Sequence, residues 1–335
     1  METKAYKTGD LPAGVLEGLL ARVYADSPAY AAALAEELSR QLSPDNPFLS
    51  RGSREGFVVT DGARPAAHAC AVTDPRLPPG AGLIGYFEAD GPAAARLVLD
   101  AACAALASRG VRRVYGPVND TVWQRYGVST GGPPPPYLGE PFTPADYAAY
   151  FEAAGFVPAD RRLTAAVDAE GSPFGSYASA RAGLEAKGFS FVDLDEAGLS
   201  ARAADLHGLA AEVFSGSPLF VPAGLDEFLY MAGARAAGSA AVLAEDAEGR
   251  PAGFLWGMPD GLSAGDNFVF KTVAVLPAYR GLGLGRALFW SLASRARAKR
   301  YILSTMRYGN AGITALAPGG AEPLREYLTF RRELC

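Results

Sequence analysis

The sequence predicts an α/β protein with a mixed sheet (α+β type), built as two tandem copies of one fold. Short segments rich in β-branched and aromatic residues alternate with segments of helical periodicity. The order of these segments in the first half of the chain recurs in the second half. The chain has 335 residues, of which 49% are hydrophobic, so it can bury the cores of about two domains.

The first half is expected to begin with two helices, around Leu16–Val23 and Tyr30–Leu38, because apolar residues recur there at helical spacing. A hairpin, a strand, a long helix, a second strand, a short helix and the start of a last strand follow. They are predicted at Gly56–Thr60 with Ala66–Val72, Leu83–Phe87, Ala95–Leu106, Val111–Tyr115, Ala145–Ala154 and from Gly155 onward.

The second half repeats this order, starting with a strand at Phe189–Leu194 and two helices around Leu206–Val213 and Leu225–Ala232. The remaining elements are a hairpin, an apolar strand, a helix, a further strand, a short helix and a closing strand. They are predicted at Ala240–Ala244 with Pro251–Met258, Phe268–Val275, Leu284–Leu292, Tyr301–Thr305, Ala311–Leu316 and Tyr327–Arg331. Small, turn-forming residues at 171–173 place the boundary there and give domains at 1–170 and 171–335.

The segment Arg280–Gly285 (RGLGLG) carries the strongest chemical signal. It follows an apolar strand that Pro277 ends, and a helix face with leucines at spacing four comes directly after it. A helix start leaves backbone N–H groups unpaired and carries partial positive charge. Because glycines let an anion approach that backbone closely, the segment predicts a phosphate or pyrophosphate bound by main-chain amides.

Two common phosphate-binding motifs do not fit this segment. A dinucleotide fold needs G-x-G-x-x-G in its first βα unit, whereas here the glycines alternate, follow an arginine and lie late in the chain. A nucleotide P-loop needs Gly-Lys-Ser/Thr, which the segment lacks. The other alternative is a turn that only joins two elements, which is disfavoured because each glycine at a helix start costs helix stability.

The pattern Arg-x-x-Gly-x-Gly, carried by Arg280, Gly283 and Gly285 after Val-x-Val-x-Pro, resembles the acyl-CoA loop of the GNAT superfamily of N-acyltransferases. Gly281 fits the common form of that loop, and the element order of the second half matches the GNAT fold. The resemblance covers both halves in architecture but only the second half in motif. It implies a tandem GNAT arrangement with a degenerate N-terminal copy.

This resemblance implies acetyl-CoA or another acyl-CoA as the donor substrate, with its diphosphate on the loop. The acyl end would lie along a splayed strand whose backbone also stabilises the oxyanion. The implied donor contacts are Val273, Ala274, Val275, Arg280, Gly281, Leu282, Gly283, Leu284, Gly285 and Asn310.

Two catalytic candidates depart from the habits of the family. One GNAT branch has a glutamate base where this chain has Lys271, and a lysine is a base only if burial lowers its pKa. Lys271 could instead bind a carboxylate of the acceptor or face solvent, and many members use a water chain as the base. The thiolate is often protonated by a tyrosine, for which Tyr308, just upstream of the usual position, is a substitute or merely a packing residue.

An amine acceptor would be bound near the two helices that follow the first strand of the second half. The candidate contacts are Phe220, Glu227 and Tyr230, although most apolar residues of this stretch are expected in the core. In the first half, Glu88 and Asp90 follow the strand where the loop would lie. Their charges would repel a pyrophosphate, so this half is expected not to bind CoA.

Composition argues against several functional classes. No apolar run reaches the roughly 18 residues of a membrane span, and the N-terminus lacks the apolar core of a signal peptide. The three cysteines and two histidines, His68 and His207, show no metal-ligand spacing, and the histidines are expected to be structural. A net charge of -5 disfavours nucleic-acid binding, although a local basic cluster follows the last long helix at Arg295, Arg297, Lys299 and Arg300.

The sequence therefore predicts a cytoplasmic GNAT-type acyl-CoA N-acyltransferase, monomeric or homodimeric and without a metal. It would transfer an acyl group, by default acetyl, to an amine of a small molecule by direct attack, without a covalent enzyme intermediate. One alternative is a non-catalytic acyl-CoA sensor, which Lys271 and the missing tyrosine favour. The other is an aminoacyl-tRNA-dependent transferase of the same fold, which the acidic pI disfavours.

Overall fold

The computed structural model describes residues 1–131, 135–232, 237–308 and 321–334, and strands and helices are numbered along the chain. The chain forms two compact units. Unit 1 comprises residues 1–161, 218–221 and 326–335, and unit 2 comprises residues 162–217 and 222–325. Within the described residues, no helix has the length and apolar character needed to cross a membrane.

Unit 1 contains a mixed sheet. Its strands in spatial order are β1 (Glu2–Lys7), β2 (Ser53–Asp61), β3 (Arg64–Thr73), β4 (Ala81–Ala89), β5 (Arg113–Gly116) and the end of β13 (Glu322–Glu333). Neighbouring strands are antiparallel except β4 and β5, which are parallel. The short strand β6 (Val128–Ser129) also pairs with β13.

Helices of unit 1 bury apolar stripes in one core. These helices are α1 (Val15–Val23), α2 (Pro28–Gln41), α3 (Pro92–Ser108) and α4 (Tyr147–Ala153). In α3, Val98, Leu99, Ala102 and Leu106 are fully buried at the spacing of one helix face. Burying one such leucine or valine contributes about 1.5–3 kcal/mol, so this stripe holds α3 to the core.

The strands of unit 2 are also in a mixed arrangement. In spatial order they are the end of β7 (Val157–Asp168), β12 (Arg300–Arg307), β11 (Asn267–Val275), β10 (Pro251–Pro259), β9 (Ala240–Glu245) and β8 (Ser190–Leu194). Only β11 and β12 are parallel neighbours. The helices are α5 (Ala178–Glu185), α6 (Glu196–Ala201), α7 (Ala203–Phe214), α8 (Leu225–Ala232) and α9 (Leu284–Ala293).

An aromatic cluster fixes α9 to the middle strands of unit 2. The Phe289 ring of α9 stacks on Phe174 with ring centroids 5.1 Å apart, and it meets the Phe270 ring of β11 edge-on at 5.1 Å. Such pairs contribute about 0.5–1.5 kcal/mol beyond their buried area. The helix that follows the glycine-rich segment is therefore rigidly attached to the strand that precedes it.

The predicted fold class is confirmed, and most predicted elements lie where the patterns indicated. Elements without a predicted counterpart are β1, β6, α5, α6 and the 3-10 helix Pro173–Tyr177 before α5. The predicted helix Ala311–Leu316 lies outside the described residues.

One sequence-based expectation needs correction. Tyr327–Arg331 was expected to close the second copy, but Phe330–Glu333 pair with β5 in unit 1. Conversely, the last strand of the first half supplies Arg162–Asp168 to unit 2, where it pairs with β12. Strand periodicity identifies which side chains are buried but not which strand lies alongside. The division at residue 170/171 describes the repeat in the sequence and stays a prediction.

Candidate functional site

The sheet of unit 2 opens between its two parallel strands. Pairing of β11 with β12 covers Asn267–Phe270 and ends at the pair Phe270↔Leu303. Beyond that point β11 continues to Val275, paired with β10 on its other side. The second part of β11 therefore presents a strand edge toward the side that β12 has left.

The backbone groups that face this opening follow from strand alternation. The N–H of Leu276 donates to the carbonyl oxygen of Ala252 at 3.1 Å, so Leu276 faces β10. Because successive residues of a strand turn their polar groups to opposite neighbours, Ala274 also faces β10, while Val273 and Val275 face the opening. The carbonyl oxygen of Val275 accepts a bond from the Nε of Arg280 at 3.2 Å.

Lys271 lies at the point where the opening begins. Trp256 and Gly257 of β10 pair with Thr272 and Phe270, so Lys271 is the extra residue of a β-bulge. A bulge bends its strand and re-aims a side chain, and bulges are common next to active sites. The side chain of Lys271 is half-buried.

The glycine-rich segment connects this strand to α9 through the 3-10 helix Pro277–Tyr279. Gly281 and Gly283 have φ angles of 79° and 91°, in the left-handed region where other residues are strained. Gly283 is the N-cap residue of α9, and no side chain in the described part of the chain caps the helix. The first N–H groups of α9 are therefore available to an anion, in the geometry that favours phosphate.

Two exposed arginines flank this helix start, Arg280 before it and Arg286 in its first turn. The Arg286 guanidinium lies over the Tyr177 ring, 5.4 Å from its centroid. Cations near a helix N-terminus oppose the helix dipole, so their presence favours binding of an external anion. The sequence analysis missed Arg286, although a cation directly after the last loop glycine is visible in the sequence.

The predicted catalytic residue Tyr308 is 56% exposed, directly after β12. Asn310 lies outside the described residues. Leu282 is exposed in the loop, whereas the Leu284 side chain is buried in the core of unit 2, so Leu284 can offer only its backbone to a ligand.

The predicted acceptor contacts are distributed over both units. Glu227 is 5% exposed, and its carboxylate accepts the N–H of Gly224 at 2.6 Å, which caps α8. Tyr230 is half-buried on the same helix. Phe220 belongs to unit 1, where its ring packs on Trp123 at 5.6 Å.

Unit 1 has the same strand opening, but its own chain closes it. Parallel pairing of β4 with β5 ends at Leu83↔Tyr115. Beyond it, the N–H of Val118 donates to the carbonyl of Ile84 at 2.8 Å, and the side-chain oxygen of Asn119 accepts the N–H of Tyr86 at 2.6 Å. The edge that is open in unit 2 is thus already hydrogen-bonded in unit 1.

The predicted acidic residues of unit 1 are held within the unit. Glu88 is 2% exposed and accepts hydrogen bonds from the hydroxyls of Tyr24 at 3.0 Å and Tyr147 at 2.8 Å. Burial raises the pKa of this carboxyl to about 7, although the charge of Arg125 and the two hydroxyls oppose the shift. Asp90, just before α3, forms an ion pair with Arg64 at 3.2 Å.

Other polar residues singled out from the sequence have structural partners. His207 donates through Nε2 to the carbonyl of Ala223 at 2.8 Å, and His68 donates through Nδ1 to that of Tyr86 at 2.7 Å. In the basic cluster, Arg295 pairs with Asp193 at 2.5 Å and Lys299 with Asp266 at 2.9 Å. Within the ranges the structure describes, no group of histidine, cysteine and carboxylate side chains is arranged to hold a metal ion.

Comparison with known proteins agrees with this geometry. Residues 210–316, which include β11, the glycine-rich segment and α9, match the model of the Acetyltransferase (GNAT) family. No curated protein shows significant similarity to the chain.

Several solved structures share the fold over nearly the whole chain. A tandem GNAT protein from the clavulanic acid biosynthesis pathway is 14% identical, with a TM-score of 0.64, and the match covers 99% of this chain and 98% of that one. A GCN5-related N-acetyltransferase from Sphaerobacter thermophilus is 15% identical, with a TM-score of 0.57 and coverage of 99% and 95%. A probable N-acyltransferase from Enterococcus faecalis V583 is 12% identical, with a TM-score of 0.60 and coverage of 99% and 73%. The tandem GNAT fold is therefore confirmed.

Proposed function

We propose that this chain, which has the tandem GNAT fold and matches the GNAT family model over residues 210–316, transfers an acyl group from an acyl-CoA to an amine of a small molecule. Acetyl-CoA is the default donor. One observation carries the proposal: a strand edge that is open beyond Phe270 leads into a glycine-rich loop and an uncapped helix start. This arrangement can bind a thioester and a pyrophosphate at the same time.

The proposed reaction is a direct displacement. The amine nitrogen attacks the thioester carbonyl carbon, a C–N bond forms, and the negative charge moves to the carbonyl oxygen. The N–H of Val273, which faces the opening, is a candidate donor to that oxyanion. When the intermediate collapses, the C–S bond breaks, the sulfur leaves as a thiolate, and the amine has lost one proton.

The proton acceptor and donor are assigned by position. Lys271, half-buried at the bulge, is the candidate that meets the amine, as a base if neutral or as the partner of an acceptor carboxylate if charged. Tyr308 is the candidate that protonates the thiolate. Glu227, Tyr230 and Phe220 stay candidates for contact with the acceptor. A cytoplasmic location and a monomeric or homodimeric state stay predictions.

Two measurements test the proposal on the wild-type protein: CoA binding by calorimetry, and release of free thiol from acetyl-CoA with a panel of amines. We expect binding and thiol release with at least one amine. Arg280→Ala should weaken CoA binding about tenfold, because a charged contact to a phosphate is lost. Arg297→Ala removes the same charge at the far end of α9 and should leave binding unchanged.

The outcomes separate the candidate functions. Absence of CoA binding by the wild-type protein would contradict the proposal. Binding without thiol release across the panel would favour the acyl-CoA sensor. Thiol release that Arg280→Ala does not alter would place the donor elsewhere.

A further inference from the structure

The hairpin turn between β9 and β10 contains a buried carboxylate that the proposed chemistry does not use. The side chain of Asp246 is 5% exposed. It accepts the backbone N–H groups of Glu248 at 3.1 Å and Arg250 at 2.9 Å, and the Nε of Arg250 at 2.8 Å. These bonds close the turn. A further bond, at 2.6 Å, comes from the hydroxyl of Tyr279, which belongs to a different segment of unit 2.

Tyr279 is the residue directly before Arg280 in the glycine-rich segment. Its backbone N–H donates to the carbonyl of Leu276 at 3.0 Å, and its ring meets the Phe189 ring edge-on at 5.8 Å. Leu276 is itself bound to β10 through Ala252 at 3.1 Å. The chain is therefore anchored up to Tyr279.

Arg280 follows, with its Nε bonded to the carbonyl of Val275 at 3.2 Å and its backbone N–H to that of Pro277 at 3.3 Å, and the loop then continues through two glycines. Gly281 and Gly283 adopt positive φ angles, and a Cβ on Gly281 would meet no atom within 4 Å. Glycine loses more conformational freedom on ordering than any other residue. The position of the loop is thus set from its two ends, by α9 on one side and by Tyr279 and Arg280 on the other.

We propose that Asp246 is a positioning residue for the donor: it acts through the Tyr279 hydroxyl to hold Arg280 and the loop amides in the arrangement that binds the CoA diphosphate. This inference rests on the proposed function. A hydrogen bond to an ionised carboxylate is stronger than a neutral one, so it restrains the loop effectively. A loop ordered before binding loses less entropy when the ligand arrives, which raises affinity.

Tyr279→Phe and Asp246→Asn test the inference. We expect each to raise the Kd for CoA and the KM for acetyl-CoA about tenfold, equivalent to about 1.4 kcal/mol. The kcat at saturating donor and the KM for the amine should stay unchanged, because neither residue touches the reacting atoms. The double variant should be no weaker than Tyr279→Phe alone, since both changes remove the same bond.

Glu248→Gln is the matched control. Glu248 lies in the same turn and contacts Arg250 at 2.8 Å, but it is 64% exposed and makes no bond to Tyr279. Its substitution should leave donor affinity unchanged. If Asp246→Asn does not fold, Tyr279→Phe decides, because it keeps the turn bonds intact.

Failure of the inference differs from failure of the proposed function. If the wild-type protein binds CoA, and Arg280→Ala weakens binding but Tyr279→Phe does not, the positioning role is overturned and the donor site stands. A parallel rise in both KM values with a fall in kcat would indicate general loosening of the fold, which also overturns it. If the wild-type protein does not bind CoA, the positioning role and the proposed function are both overturned.

Discussion

Two strand-to-helix junctions, β4 to α3 and β11 to α9, occupy equivalent places in the two copies but differ in the segment that joins strand to helix. In unit 2, Leu276–Gly283 connects β11 to α9, with room for a 3-10 turn and glycines at positive φ. In unit 1, only Asp90 and Gly91 connect β4 to α3. Helix α3 begins with Pro92, which has no backbone N–H that could bind an anion.

The two pairs of parallel strands, β4 with β5 and β11 with β12, also differ in whether the opening between them is closed. Both parallel pairs part after a few residues, at Phe270↔Leu303 and at Leu83↔Tyr115. In unit 1 the freed groups are bonded by Val118 and by the Asn119 side chain. Gly85 permits this closure, because a Cβ there would lie 2.5 Å from the carbonyl oxygen of Val118.

This comparison separates fold from site. The shared architecture produces a diverging pair of parallel strands in both copies, but the proposed donor site also needs a strand edge that no described strand pairs with and a long loop without acidic residues. We infer that the first copy is a structural partner without a donor site. The four substitutions below test that difference.

Gly283→Trp should have the largest effect. A side chain at a φ of 91° strains the N-cap residue of α9, and the indole would cover the helix N–H groups. We expect the Kd for CoA to rise at least about a hundredfold, equivalent to about 2.7 kcal/mol, measured by calorimetry.

Gly91→Trp is the matched change in the first copy. Gly91 is also an N-cap residue, its φ of 173° is accessible to any residue, and a Cβ there meets no atom within 4 Å. CoA binding should be unaltered. If Gly91→Trp weakens binding as strongly as Gly283→Trp, the two junctions are not different in function.

Gly85→Ala should destabilise the protein without affecting donor affinity. The added methyl group would collide with the backbone at Val118, and overpacking of this kind costs typically about 1–3 kcal/mol. Urea unfolding measures the loss. Gly175→Ala, where the added Cβ has open space, is the control. If Gly85→Ala left the free energy of unfolding unchanged, the contact of Gly85 with Val118, which closes the strand opening of unit 1, would not be tightly packed.

Glu88→Gln should change how the free energy of unfolding depends on pH. Burial raises the pKa of the Glu88 carboxyl from 4.5 to about 7, so the folded protein retains a proton that the unfolded chain loses between these values. Glu88 therefore stabilises the fold less as pH rises from about 4.5 to 7, by at most about 1.4 kcal/mol per pH unit.

The measurement compares the free energy of unfolding of wild type and Glu88→Gln at each pH. Burial lowers the pKa of His68 to about 4, which acts in the opposite direction but cancels in the difference. The wild-type value minus that of the variant should fall across this range and be level above it. A flat difference would show that Glu88 titrates normally.

Much of the fold could be predicted from the sequence because it rests on local signals. Local patterns predict which residues are buried in three elements: the leucines of α9, the β-branched residues of β11 and the periodic apolar stripe of α3. The strand β1 was missed because it is largely exposed and its pattern is polar. The helix α5 was missed because its only fully buried residue is Leu184, which leaves almost no periodic signal.

The candidate site divides in the same way. Arg280 and Gly283 were identifiable because a loop of fixed spacing at a helix start needs particular residue types. The bond of Tyr279 to Asp246 could not be predicted, since 33 positions separate the two residues and nothing in either local sequence indicates the other. Nor could the capping role of Glu227 be distinguished from contact with an acceptor.

The duplicated α/β order and the glycine-rich helix start could be read from the sequence alone, because hydrophobic periodicity and backbone freedom are properties of neighbouring residues. Strand pairing is visible only in the folded protein: Arg162–Asp168, from the last strand of the first half, pair in unit 2, and Phe330–Glu333, from the last strand of the second half, pair in unit 1. The strand opening of unit 1 is closed, and among the described residues no strand pairs across that of unit 2. Partner choice and closure depend on contacts between residues far apart in the chain, so no local pattern encodes them.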